Sequence, residues 1–298
     1  MSKKTIFIGV FFAYVALLSL FLVLDTKLHV IFCNVDQGDA ILIWRRSQQL
    51  LIDTGPPSSV QACLWENMPV WDRKIEKVVI THADADHSGS LAGLVKAYKI
   101  DQIITNEHSI NDQELIPALE AAKKKTIDIV TVSAGDSFGF LGGSFEVLWP
   151  ENIKDGRGVQ EMNKRIDEST KNNLLTDGVG SDDNSHSLVI RLKFGGFSGL
   201  FLGDIGFPEE QELISSARIL PVTFLKIAHH GSKNSTSKKF LALLQAKIAV
   251  ISVGEHNPYH HPAPGVLERL VNQDISIFRT DIDGEIELVT DGNEYRVK

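Results

Sequence analysis

The chain is poor in cysteine, has no excess of positive charge, and contains a single long apolar run. Its two cysteines, Cys33 and Cys63, are too few and too far apart for a zinc knuckle or a disulfide framework. Cys33 lies in the apolar stretch LHVIFCN, so two ordinary thiols are expected, with one disulfide as the alternative. Thirty Lys and Arg against 38 Asp and Glu leave a formal net charge of -8 over 298 residues. That balance excludes a general attraction to phosphate backbones, and any nucleic-acid reading has to rest on a local site. No tandem repeat of solenoid period is present.

The apolar run is TIFIGVFFAYVALLSLFLVL, Thr5 to Leu24, without a charge. Twenty such residues at helical rise cover about 30 Å, the thickness of a bilayer core. The run ends in LFLVLDTKLH and lacks the small-residue exit of a cleaved signal, so a retained transmembrane anchor is expected. Lys3 and Lys4 on its leading side predict a cytoplasmic N-terminus, with Asp25 and all that follows extracellular or periplasmic. The expected division is 1–27, stub and anchor, and 28–298, one further domain; the short linker would hold that domain against the membrane.

From Leu28 onward, short β-like runs alternate with turns and helical stretches. LHVIFCN, AILIW and LLID lead to the turn DTGPP, and KVVI leads into THADADHSGS. SLAGLVKAY reads as a helix, followed by IDQIIT, a helical stretch from about Asp112 to Lys125, and the strands IDIVTV and SFEVLWP. Glu151 to Asp183 is polar and aperiodic, the pattern of a loop or insertion. The second half runs SLVIRLKF, SGLFLGD, a helix near Glu209 to Arg218, VTFLKIAHHGS, a helix near Lys238 to Gln245, KIAVISVG, EHNPYHHPAP, a helix near Val266 to Asn272, and SIFRT. Asp53, His82 to His87, Asp204, His229 and His230 all fall where an apolar strand ends. That placement suits a site on the rim of a sheet scaffold.

In VVITHADADHSGS, alternation would put His82, Asp84 and Asp86 on one side of an extended segment, with His87 coming from the next turn of backbone. Carboxylates and imidazoles crowded at strand ends repel and desolvate one another unless a cation joins them. A divalent metal resolves that conflict.

Together, the HxDxDH pattern at His82 to His87, LIDTG, LGD and HHGS resemble the metallo-β-lactamase superfamily. Within it, VDQGDAILI, THADADHSGSLAGL, NSHSLVIRL, FLGDI, LKIAHHGSKNST and ISVGEHNPYHHP resemble the extracellular hydrolase domain of ComEC-type DNA-uptake proteins, from about Leu28 to the C-terminus. The resemblance implies an α/β fold, a four-layer αββα sandwich, here preceded by one N-terminal transmembrane helix. It implies one or two divalent ions at one edge of the two sheets. By position, the metal ligands are His82, Asp84, Asp86, His87, the bridging Asp204, and His230 or, less readily, His229. Asp53 would orient those ligands from behind. The middle histidine of the superfamily falls in DDNSHSL, where Asn184 and His186 are both candidates, and His261 aligns with the HP block. Two departures stand out. Asp84 replaces the commoner histidine, a harder ligand that shifts preference from zinc toward manganese or magnesium. Asn34 and Asp36 hold places where ComEC-like proteins usually carry Asp and Gly, and Asp tolerates the left-handed backbone a turn glycine adopts.

Such a site supports hydrolysis, and phosphodiesters suit it because cations are aimed at their non-bridging oxygens. Asp86 or Asp204 would take the proton of the attacking water, and His229 or His261 would protonate the leaving oxygen. Ser232 and Lys233 offer donors for flanking phosphates, or simply form a solvated capping loop. The leading expectation is a membrane-anchored, outward-facing nuclease acting on DNA, alongside a separate channel protein. The alternatives are a hydrolase of cell-wall or lipid-linked phosphodiesters such as phosphocholine esters, and a non-catalytic binding subunit of a DNA-uptake channel.

Overall fold

The computed structural model describes residues 25–152 and 183–298, together with Phe7. The apolar run Thr5 to Leu24, apart from Phe7, and most of the polar segment after Glu151 lie outside the described residues. Among the described residues no helix is long and apolar enough to cross a membrane.

Among the described residues fifteen strands form two sheets. The first has eight, in the order β15 (Tyr295–Val297), β14 (Ile286–Thr290), β1 (Leu28–Phe32), β2 (Ile41–Arg45), β3 (Gln48–Ile52), β4 (Lys74–Val79), β5 (Lys99–Thr105), β6 (Asp128–Thr131). The second has seven, in the order β13 (Ser276–Arg279), β12 (Ile248–Ile251), β11 (Phe224–Lys226), β10 (Phe197–Phe201), β9 (Val189–Phe194), β8 (Gly143–Trp149), β7 (Ser137–Phe140). Those that position the site are β1 (Leu28–Phe32), β3 (Gln48–Ile52), β4 (Lys74–Val79) and β5 (Lys99–Thr105) in the first sheet. In the second they are β9 (Val189–Phe194), β10 (Phe197–Phe201), β11 (Phe224–Lys226) and β12 (Ile248–Ile251).

These strands are apolar on both faces because both faces are covered. In β1, Leu28, Val30 and Phe32 point between the sheets, while Ile31 points outward beneath helices. The inter-sheet core joins them to Phe145, Phe201, Phe224 and Val250 of the second sheet. Outside the first sheet pack the helices Gln61–Asn67, Leu91–Ala97 and Ile116–Lys124 through Leu64, Leu94 and Leu119. Outside the second pack Phe207–Ser215, Lys238–Leu244 and Pro264–Val271 through Leu213, Leu241 and Leu270. Three apolar layers between four structural layers make the αββα arrangement that the resemblance implied.

β3, β4 and β5 run parallel, as do β10, β11 and β12, so their C-terminal ends meet at one edge of the sandwich. The chain enters β1 at the other edge, where Leu28 pairs with Thr290, whereas Phe32 at the far end pairs with Ile41.

Three features differ from the sequence reading. Cys33 and Cys63 form a disulfide, tying the end of β1 to helix Gln61–Asn67. The apolar setting of Cys33 concealed this, because a buried half-cystine and a buried thiol occupy the same kind of environment. That helix, with its seven residues QACLWEN, is too short to show helical periodicity. The hairpin β14 (Ile286–Thr290) and β15 (Tyr295–Val297) also went unassigned, yet β14 pairs with β1 and so completes the first sheet from the C-terminal end of the chain.

The disulfide closes a loop of 30 residues. Reduction, or a Cys33→Ala/Cys63→Ala variant, is expected to lower stability by about 3 kcal/mol through loop-closure entropy, read from urea midpoints with and without reductant.

Candidate metal centre

The motif that follows β4 does not continue as an extended segment. Its backbone bends after Ile80, and Ala85–Ser88 forms one helical turn, so Asp86 and His87 are adjacent positions on a helix, not alternate positions on a strand. The ligands converge because this turn is docked tightly. The His87 carbonyl accepts hydrogen bonds from the Thr54 N–H at 2.6 Å and the Thr54 hydroxyl at 3.1 Å, and the Asp86 carbonyl accepts one from the Asp39 N–H at 3.1 Å. Gly38, at φ +139°, lies under that carbonyl: a Cβ there would stand 2.2 Å from the Asp86 oxygen. Only glycine allows this approach.

Asp204 follows β10, and its N–H is held by the Ser187 hydroxyl at 3.1 Å. His229 and His230 follow β11 with φ of 49° and 52°, a left-handed backbone that costs about 1–3 kcal/mol per residue unless the surroundings impose it. Those surroundings are the His229 N–H bond to the Gly203 carbonyl and the Ser235 hydroxyl on the Ala228 carbonyl.

His82, His87, His230 and Asp204 are buried and face one another. His87 Nε2 is 3.3 Å from Asp204 Oδ1, and His230 Nε2 is 3.4 Å from Asp204 Oδ2 and 3.2 Å from Asp86 Oδ2. Two overlapping donor groups result: Asp86, His87 and His230, and His82, His87 and Asp204, each with its ligand atoms within 4.8 Å of one another. The Nε2 atoms of His82, His87 and His230 and Oδ1 of Asp204 are all buried without a hydrogen-bond partner. Buried polar atoms are rarely left so, and two overlapping groups of such donors fit divalent cations.

The ring orientations are set from behind. Asp53, itself left-handed at φ 57°, accepts from the Thr81 N–H at 2.8 Å and the Thr81 hydroxyl at 2.7 Å, and pairs with His87 Nδ1 at 2.9 Å. His230 Nδ1–H donates to the Ser252 carbonyl at 2.9 Å, leaving Nε2 free as a ligand. Without a cation, protons take its place. Burial opposes charge on His230, but Asp204 and Asp86 raise its pKa to about 10. His87, equally buried, is raised well above the histidine range by Asp204 and Asp53. Asp86, against the cost of its own burial, is held at about 2 by its bond to His230 and the charge of His87. Asp204 is likewise lowered by His87 and His230 despite burial.

The remaining sequence candidates divide by position. Asp84 is half-exposed at the rim, 3.6 Å from His82 Nε2. A cleft of about 610 Å³ opens there, bordered by Asp84, Asp86, Asn184, Asp204, His229 and His261. Asn184 faces it, with Oδ1 buried and unpartnered, whereas His186 stacks on His108 with ring centres 3.5 Å apart. His229 sits at the mouth, its Nε2 3.8 Å from Asp204, and His230 lies behind it. Asn257 positions His261, accepting from its N–H at 2.8 Å and donating to its carbonyl at 2.9 Å. Burial and the neighbouring charges of His229 and His230 lower the pKa of His261. Ser232 is buried in the turn and Lys233 is exposed; neither lines the cleft. Asp36 adopts φ 65°, with its N–H on Asn34 Oδ1 at 3.3 Å, so the two departures support one another in the left-handed turn.

Sequence reading missed Asp39 and Lys226, both fully buried. Lys226 Nζ bonds Asp39 Oδ2 at 2.6 Å and the Ile227 carbonyl at 2.9 Å. The Asp39 carbonyl accepts from the Gly55 N–H at 2.7 Å, and its other carboxylate oxygen lies 3.6 Å from His230 Nδ1. One residue thus joins the Asp53 loop, the Asp86 turn and β11. The signal was available: a lysine inside VTFLKIA is out of place in an apolar strand unless paired.

The metallo-beta-lactamase superfamily profile matches residues 33–256. The chain belongs to that superfamily. It is 29% identical to ComE operon protein 3 of Bacillus subtilis (strain 168), over 91% of this chain and 34% of that protein. It is 28% identical to Recombination protein 2 of Haemophilus influenzae, over 86% of this chain and 28% of that protein. The chain therefore spans about a third of the length of these curated relatives. The metallo-beta-lactamase fold protein YhfI from Bacillus subtilis superposes with a TM-score of 0.53 at 12% identity, covering 87% of this chain and 99% of that one. Members of the superfamily are generally metal-dependent hydrolases. A divalent cation would be held by Asp86, His87 and His230, or by His82, His87 and Asp204, and would supply the Lewis acidity that hydrolysis needs. The chain's own contribution is to fix the ligand rings, to offer imidazoles at the mouth for proton transfer, and to keep both carboxylates ionised.

Lys226→Met leaves the Asp39 carboxylate buried without its cation and is expected to cost about 3–5 kcal/mol in urea unfolding, most of it restored by adding Asp39→Asn. The pH dependence has a definite sign. His230, raised from 6.5 to about 10, stabilises the metal-free fold fully below pH 6.5, and this is lost as pH rises toward 10. Asp86, lowered from 3.8 to about 2, stabilises it above pH 3.8, and this is lost as pH falls toward 2. Metal must displace the proton on His230, so metal affinity should rise over the same interval in which metal-free stability falls. Thermal melting across pH with and without chelator checks both trends.

Proposed function

We propose that this chain is a membrane-anchored, outward-facing, metal-dependent phosphodiesterase acting on DNA during uptake, in the manner its likeness to competence proteins suggests. The observation that carries the reading is the pair of overlapping donor groups, Asp86, His87 and His230 with His82, His87 and Asp204, whose buried His82, His87, His230 and Asp204 atoms lack partners beside an open cleft. The hard carboxylate of Asp84 at the rim favours manganese or magnesium at the His82 side relative to a histidine there. His229 and His261, with ring centres 6.0 Å apart at the mouth, are placed to protonate a leaving oxygen.

Two features support an outward position. The Cys33–Cys63 disulfide suits an oxidising compartment, and the apolar run Thr5 to Leu24 with Lys3 and Lys4 before it suits an anchor whose following residues are translocated. The cleft lies at the edge opposite the chain's entry into β1, which favours a substrate arriving from water over one embedded in lipid.

The test uses the full chain in detergent or vesicles, loaded with Mn²⁺ or Zn²⁺. Cleavage of single-stranded DNA or model phosphodiesters is expected, lost by at least about a hundredfold in Asp204→Asn. Full metal occupancy without cleavage of either substrate would refute a nuclease. Cleavage of choline phosphoesters alone would favour the cell-wall or lipid-linked alternative. Function retained in Asp204→Asn would favour a non-catalytic binding subunit.

A further inference from the structure

The two sheets share a second end, remote from the cleft, where both exposed tryptophans and several exposed aliphatic side chains lie. Both sheets meet there: the Gly196 N–H bonds the Gly292 carbonyl at 2.6 Å, the Tyr295 ring lies 5.9 Å from Phe197, and the Arg45 guanidinium lies 5.1 Å over Phe194. The chain also enters there, since Arg45 Nε donates to the Thr26 carbonyl at 2.7 Å, two residues before β1. Asp25, where the described structure begins again, directly follows Leu24, the last residue of the apolar run.

Helices that pack on the sheets run from the cleft end to this end, and several finish in large exposed apolar side chains. Trp65, Val70 and Trp71 are 57%, 57% and 47% exposed on the path from helix Gln61–Asn67 to the start of β4. The Arg73 guanidinium lies 5.4 Å over Trp65 and 5.5 Å over Tyr98, the residue before β5, which fixes that aromatic group to the same end. On the second sheet, Leu243 is 43% exposed beside the Val222 N–H to Leu244 carbonyl bond at the foot of β11. Leu220, 47% exposed, precedes the same strand, and Val271, 63% exposed, ends helix Pro264–Val271. Two solvent-exposed tryptophans, Trp65 under a guanidinium, among aliphatic side chains from separate elements, are the chemistry of a bilayer interface. Scattered single apolar residues would need no explanation, but these gather where the chain joins a 20-residue apolar run.

We propose that this end of the sandwich rests on the lipid surface around its own anchor and holds the cleft facing away from the bilayer. The inference builds on the anchor of the preceding section and adds which face meets lipid. The five residues of β1 alone cover about 17 Å, which sets the separation along the strand between this end and the cleft end. Exposed charges at this end are of both signs, Arg46, Lys99, Lys123, Lys124, Lys125, Lys193 and Lys247 against Asp128, Asp274 and Asp291, so on zwitterionic headgroups the apolar side chains carry the contact.

The experiment uses the full chain with the native disulfide intact, reconstituted in phosphatidylcholine vesicles that carry nitroxide-labelled headgroups. Single labelling sites are introduced as Leu243→Cys, Val271→Cys and, at the cleft mouth, Tyr259→Cys, each with a fluorophore attached. Quenching about threefold stronger at the first two than at the third, unchanged by high salt, supports the proposal. Equal quenching at all three in a chain that sediments with the vesicles overturns it while leaving the anchor intact. Quenching confined to the Tyr259→Cys label reverses the orientation and overturns it as well. A chain that stays in the supernatant removes the anchor and the proposal together. Self-quenching between copies without nitroxide lipid would assign the face to a second copy of the chain instead.

Discussion

The structure turns on the confinement of like charge. Asp39, Asp53, Asp86 and Asp204 meet at one edge of two sheets, Asp39, Asp53 and Asp204 nearly inaccessible to water. Carboxylates so placed persist only if cations accompany them. Each is accounted for differently. Lys226 neutralises Asp39 from within β11. Thr81 and His87 satisfy Asp53. Asp86 and Asp204 are left facing imidazoles, which would serve as ligands to a divalent ion and otherwise favour protons. The same electrostatics therefore explain the fold's dependence on pH and its readiness for metal.

Asp39 shows how a site spread over two sheets is kept in register. Its amide holds the Asp86 turn, its carbonyl holds Gly55 behind Asp53, and its side chain holds the strand leading to His230. Parallel strands bring the ligands to the same edge; this one residue sets their relative positions. The left-handed His229–His230 backbone is a second device of that kind, turning one imidazole inward as a ligand and leaving the next at the mouth, where a proton can be exchanged.

The polarity of the whole molecule follows from the direction of the strands. Because the C-terminal ends of β3, β4, β10 and β11 define the cleft, the opposite ends are free to carry other functions, and there the chain enters and the exposed tryptophans gather. On the proposed reading, the anchor and the hydrolytic site occupy opposite ends of the sandwich.

Much of this was legible in the chain itself. Apolar runs of strand length, helical stretches between them and polar residues at the strand ends located the layers and the donors that meet at one edge, because two-sided burial and rim placement leave local signatures. HxDxDH, LGD and HHGS identified the metal chemistry, since so many donors at strand ends have few other uses. Local pattern carried no trace of what depends on distant partners: the Cys33–Cys63 bond, the β14 strand that pairs with β1, the Asp39–Lys226 pair, and the choice of Asn184 over His186 at the cleft. Even the alternation of His82, Asp84 and Asp86 misled about the backbone, which becomes helical at Ala85. The sequence determined which atoms could bind a cation. The tertiary structure decided which of them face one another, because burial, tautomer and approach are set by groups that neighbour each other only after the two sheets have packed.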